Sequence, residues 1–163
     1  MILVVGPGRC GTSYVSKKLM DLGINMGRYL NKDNEDLEFK MLNQYAVQDQ
    51  IDIKEWSVLV GFRINDRVEP WGLKDPRVSR LIMFYNLMLP DAHYIRCHRD
   101  KEDVIDSYVR NYGYDKKHWE NMVEKREKLL DQYLPKDRTL NVHVDELDEY
   151  NFKDVLEDWE YHG

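Results

Sequence analysis

Four apolar residues in a row, Ile2-Leu3-Val4-Val5, begin the chain's regular pattern. No polar position interrupts them, as in a strand buried on both faces of a parallel sheet. A glycine-containing loop follows. Val15, Leu19 and Leu22 then recur at i, i+4 and i+7 ahead of Gly23, which predicts a helix over residues 12–22. Residues 24–35 are polar and loop-like, and Leu37, Met41, Leu42 and Tyr45 predict a second helix. Residues 71–74 read as a short strand that ends at Asp75-Pro76, with a helix over 78–89 stopped by Pro90. Residues 93–97 predict another strand, 101–112 a helix, 116–134 a charged amphipathic helix, and 140–144 a last strand before an acidic tail. Strands and helices alternate throughout, so the pattern predicts an α/β fold with a mostly parallel central sheet.

Composition narrows the function classes. At 163 residues, 42% hydrophobic and 33% charged, the chain is expected to form one domain over residues 1–163. No apolar run approaches the ~20 residues of a membrane span, so no membrane partner is expected. Met1 runs directly into the first strand without a basic leader, which predicts a cytoplasmic protein. Cys10 and Cys97 lie far apart, with no zinc-ligand spacing, and read as free thiols; no metal is expected. The 24 Lys and Arg against 30 Asp and Glu give a net charge of −6, which argues against a nucleic-acid partner. Any affinity for phosphate must therefore be local.

Such a local site is written in "GPGRCGTS", residues 6–13. Gly6 and Gly11 keep the glycine spacing of a P-loop, but Thr12 stands where the lysine belongs. The expected fold is accordingly of P-loop type, with three layers, α/β/α. The glycines let the backbone approach an anion, and the amides of residues 11–14 open a helix with the positive end of its dipole. Without the lysine and without an evident carboxylate for magnesium, a triphosphate is poorly served. Arg9 offers instead a permanent fork of donors. The second pattern is "RCHRDKEDVIDSYVR", residues 96–110, where Asp100 is an N-cap and Val104, Ile105, Tyr108, Val109 and Tyr112 form a helix's buried stripe. Ser107 falls off that stripe. Arg99 and Ser107 are placed to grip one phosphate together; the plain alternative is an Arg99–Asp103 ion pair with Ser107 facing water.

The two patterns together resemble the sulfotransferases that use 3′-phosphoadenosine 5′-phosphosulfate (PAPS). Arg9-Cys10-Gly11-Thr12-Ser13 is similar to that family's loop for the 5′-phosphosulfate, and Arg99 with Ser107 has the spacing of its 3′-phosphate pair. "WGLKDPR", residues 71–77, is similar to the W-x-K-D-P-R segment of the bacterial and carbohydrate-type branch. "LPDAHYIRCHRD" and "NVHVDEL" resemble the strand entering the 3′-phosphate site and the family's final strand. The resemblance implies sulfonate transfer from PAPS to a hydroxyl or amine of a small-molecule or carbohydrate acceptor, with adenosine 3′,5′-bisphosphate leaving and no metal. It implies donor-binding roles for Gly8, Arg9, Cys10, Gly11, Thr12, Ser13, Tyr14, Arg99 and Ser107. Arg9 and Lys74 would act on the sulfonate and leaving group, and Asp75 and Arg77 would brace the turn behind Lys74. "NEDLEFKMLN", residues 34–43, looks like the segment that supplies the base, with Glu35 first and Glu38 second; His98 is a further candidate. Two departures stand out: Cys10 replaces the usual serine, and no late arginine-glycine segment is present to cover the nucleotide. A P-loop small-molecule kinase and a catalytically silent nucleotide binder remain as alternatives.

Overall fold

The computed structural model describes residues 1–160. The elements run β1 (Ile2–Val5), α1 (Thr12–Asp21), α2 (Leu37–Val47), α3 (Ile53–Asn65), β2 (Gly72–Lys74), α4 (Val78–Met88), β3 (His93–His98), α5 (Lys101–Tyr112), α6 (Lys116–Tyr133), β4 (Thr139–His143) and α7 (Phe152–Asp158). The strands form one parallel sheet in the order β2-β1-β3-β4. Val4 of β1 pairs with Lys74 on one side and Ile95 on the other. The sheet is flanked by helices, as the alternating pattern requires.

All four residues of β1 are buried. Alternation sends Ile2 and Val4 into one core, with α1, α5 and α7, and Leu3 and Val5 into a second, with α2, α3 and α4. Helix α6 borders both, through Val123 and Leu130 respectively. Because β1 is central, the chain leaves it toward β2 and leaves β3 toward β4, on the opposite side. A crevice opens at such a reversal, outside the carboxyl ends of the strands.

Several elements differ from the sequence reading. Helix α3 lies between the second helix and the strand at 71–74, where the sequence pattern assigns no element; Asp52 caps it, and Trp56 and Val60 are its buried residues. The acidic tail contains α7, whose Phe152 and Leu156 are buried against the first core. Helix α2 forms, but Leu37, Met41 and Tyr45 are exposed, while Phe39 and Asn43 are buried. On α5, Ser107 is buried and Tyr112 is exposed, the reverse of the predicted stripe.

Candidate functional site

A cavity of about 290 Å³ lies at the carboxyl ends of β1, β2 and β3. Its wall draws on the loop after β1 (Gly8, Arg9, Gly11, Thr12, Ser13), on Glu35, on Lys74 and on Arg99 with Ser107. These come from four separate stretches of chain.

The loop turns through left-handed backbone at Gly8, Arg9 and Gly11, with φ of 90°, 61° and 87°. For Arg9 this is a conformation that side chains other than glycine's rarely adopt. Gly8 is required twice over, because an added Cβ would lie 2.1 Å from the Tyr108 Oη. That hydroxyl donates to the Pro7 carbonyl at 2.8 Å, and Arg126 Nη1 donates to the same carbonyl at 2.5 Å. Gly11 is the N-cap of α1 and offers no side chain, so the first amides of the helix face outward. The Tyr14 amide is not among them, since it donates to the Gly11 carbonyl at 3.0 Å.

The cationic wall is made by three residues. Arg9 Nε donates to Ser107 Oγ at 2.9 Å, so the loop arginine leans toward α5. Arg99 Nη1 donates to the Arg9 carbonyl at 3.4 Å, and its Nη2 pairs with Asp103 at 3.5 Å. Arg99 thus makes the plain ion pair while still lining the cavity, and Ser107, 4% exposed, does not face bulk water. From the far side Lys74, 3% exposed, extends its Nζ to Ser13 Oγ at 3.2 Å, the Asp33 carbonyl at 2.9 Å and Glu35 Oε1 at 3.4 Å. An ammonium group from β2 therefore stands beside the loop that lacks its own lysine.

Glu35 is 6% exposed. Besides Lys74 it meets Lys40 at 3.0 Å and accepts from Asn31 Nδ2 at 3.0 Å. Burial alone would raise its pKa, but Lys74, Lys40 and Asn31 outweigh that cost and hold the carboxyl below its ordinary value. It is ionised at neutral pH. Asp75 is also buried; it accepts from Asn43 Nδ2 at 3.0 Å and pairs with Arg77 at 2.7 Å, which braces the turn after β2.

Four residues singled out in the sequence stand elsewhere. The Cys10 side chain is fully buried beneath the loop, where burial pushes its thiol up to about 11. Only its backbone can face an anion. The Tyr14 hydroxyl is engaged with Asp148, away from the cavity. Glu38 pairs with Arg63 at 3.3 Å, and His98 Nε2 lies 2.8 Å from Asn141 Oδ1; neither lines the cavity. Conversely, Asp33, Tyr108 and Arg126 belong to the site or its support without any sequence pattern that marks them. The Asp33 carbonyl accepts from both Ser13 Oγ and Lys74 Nζ, while Tyr108 and Arg126 hold the loop through Pro7. Backbone carbonyls carry no residue signature, and Tyr108 fits an apolar stripe equally well.

The sequence model of the sulfotransferase family matches residues 16–156, a span that begins just after the loop. No curated protein matches the chain. Among solved structures, the sulfotransferase domain from the curacin biosynthetic pathway aligns with a TM-score of 0.55 at 14% identity, over 98% of this chain and 73% of that one. The YorR protein from Bacillus subtilis, solved in complex with phosphorylated GDP, aligns with a TM-score of 0.49 at 18% identity over 100% of both chains. The deoxyadenosine kinase from M. mycoides, solved with bound dATP, gives 0.41 at 13% over 96% of both. The likeness to the curacin-pathway domain shows a shared fold.

Proposed function

The chain belongs to the sulfotransferase family, and from that premise we propose that it transfers a sulfonate group from PAPS to a hydroxyl or amine of a small-molecule or carbohydrate acceptor. The observation that carries this reading is the meeting of Arg9, Lys74, Glu35, Arg99 and Ser107 with the glycine loop around one cavity. Cations supplied by side chains surround it, and a buried carboxylate stands at its edge.

In the proposed reaction the acceptor heteroatom attacks sulfur, a new bond to sulfur forms, and the bond from sulfur to the bridging oxygen breaks. Adenosine 3′,5′-bisphosphate departs with the electron pair. The loop amides and Lys74, next to Ser13, meet the phosphosulfate, and Lys74 with Arg9 offsets charge gathering on the leaving oxygen. Ser107 and Arg99 take the 3′-phosphate; Arg9, already bonded to Ser107, borders the same group. Glu35 takes the acceptor's proton, its paired cations keeping it unprotonated beforehand.

Ligand choice tests the reading. Adenosine 3′,5′-bisphosphate without magnesium is expected to stabilise the fold, by about 2.7 kcal/mol at one hundred times its dissociation constant. Lys74 gives the loop a lysine from a neighbouring strand, and that observation keeps a small-molecule kinase as the second reading. A larger thermal shift with ATP and magnesium than with the bisphosphate would favour the kinase and remove the sulfotransferase. Binding of the bisphosphate with no turnover of PAPS on any sugar, phenol, amine or peptide acceptor would identify a silent binder.

A further inference from the structure

Helix α6 carries its charges in two stripes. Glu120, Glu124, Glu127 and Asp131 follow one another at helical spacing, and their partners come from their own side: Lys117 at 3.5 Å, Lys101 at 2.7 Å, and Arg96 to both Glu127 and Asp131. The other stripe has no such partners. His118, Lys125, Arg126 and Lys128, joined by Arg80 from α4, line a cleft of about 740 Å³ between the two helices. No carboxylate lines this cleft. Among the described residues Arg80, Lys125, Arg126 and Lys128 make no ion pair, although the chain as a whole is acidic.

We propose that this cleft is a second anion-binding site, for a small molecule bearing two or more phosphate, sulfate or carboxylate groups. Like charges gathered on one face repel one another, and Lys125 and Lys128 sit one turn apart, about 5–6 Å. A ligand with several anionic groups relieves that repulsion, and a concave wall concentrates the field that draws it in. Arg126 Nε is closed off from solvent and has no hydrogen-bond partner, so this guanidinium adds to the field of the cleft without a carboxylate bonded to it. Its Nη1 donates to the Pro7 carbonyl, so a ligand at Arg126 touches the residue that holds the loop of the other cavity. The two cavities share no lining residue and count as separate sites.

Calorimetric titration of the full chain with tripolyphosphate at low ionic strength tests the proposal, because exposed charge is least screened there. Two classes of site are expected. The double variant K125E/K128E, at two exposed positions, should weaken one class by about tenfold or more and spare the other. The double variant R9A/R99A should weaken only the class that K125E/K128E spares. The control K17E/K54E changes net charge equally at exposed, unpaired lysines and should leave both classes within about twofold. A single class insensitive to K125E/K128E would overturn the proposal, as would equal losses in K125E/K128E and K17E/K54E.

Discussion

Arg9 holds a left-handed backbone conformation, φ 61°, and its guanidinium is fixed by Ser107 from another element. Such strain persists where the surroundings over-determine it, which is common at sites that must be preorganised. Arg9→Ala is therefore expected to lower turnover by about 10² while nucleotide affinity falls less, because the proposed interaction grows as the sulfur bond breaks. Equal losses in both would assign Arg9 to binding alone. Arg99→Ala should cost about 1.5–3 kcal/mol in binding of the 3′-phosphorylated nucleotide and little for adenosine 5′-phosphosulfate, as measured by calorimetry. Equal loss for both would leave Arg99 only its pairing with Asp103. Glu35→Gln should keep nucleotide affinity and reduce the rate by about 10² to 10⁴. The pH profile carries its own signature. The depressed pKa of Glu35 keeps the base form present through neutral pH, so the wild-type rate should fall only below the ordinary carboxylate value, and Glu35→Gln should remove that limb. The same shift stabilises the fold above the unfolded-state pKa, a contribution lost as pH falls through the folded-state value. An unchanged rate in Glu35→Gln would shift the proton to another acceptor group.

At the scale of elements, what was legible depended on whether a segment buries a regular face. β1 is buried on both sides and its unbroken apolar run showed it; α1 followed from its i, i+4, i+7 positions. The loop, Lys74 and Arg99 were legible because each sits at a strand's carboxyl end beside a recognisable turn. Helix α3 was hidden by exposed Val58, Leu59 and Phe62, which blur the stripe that Ile53, Trp56, Val60 and Ile64 make. On α5 the serine at 107 belongs to the buried face because the Arg9 guanidinium covers it, a long-range contact that periodicity does not contain. The acidic residues around Phe152 and Leu156 likewise masked α7. Phe152, 4% exposed, packs into the core it shares with α1 and α5. Phe152→Ala should then destabilise the fold by about 3–5 kcal/mol, read as a lowered urea midpoint at unchanged slope. A change within about 0.5 kcal/mol, the value for an exposed position, would return this segment to a loosely attached tail.

The whole molecule is organised about one sheet that serves two cores. β1 supplies Ile2 and Val4 to one and Leu3 and Val5 to the other, so neither core can be dismantled without exposing the other face of the same strand. From that sharing we propose that the chain is one domain, and the tryptophans are distributed to test it. Trp56 and Trp71 lie in the core with α2, α3 and α4, while Trp119 and Trp159 pack against the core with α1, α5 and α7. W56F/W71F leaves reporters only on the side with α1, α5 and α7, and W119F/W159F only on the side with α2, α3 and α4. Within each double variant, the urea transition followed by fluorescence is expected to coincide with that followed by far-ultraviolet circular dichroism, whatever the variant's own stability, because the shared sheet makes unfolding all-or-none. Trp56 donates to Asn43 Oδ1 at 3.2 Å in a buried network, so W56F/W71F should shift the common midpoint downward without splitting it. A fluorescence midpoint separated from the circular dichroism midpoint in either variant would mean that the two sides of the sheet unfold independently, and the single-domain reading would fall.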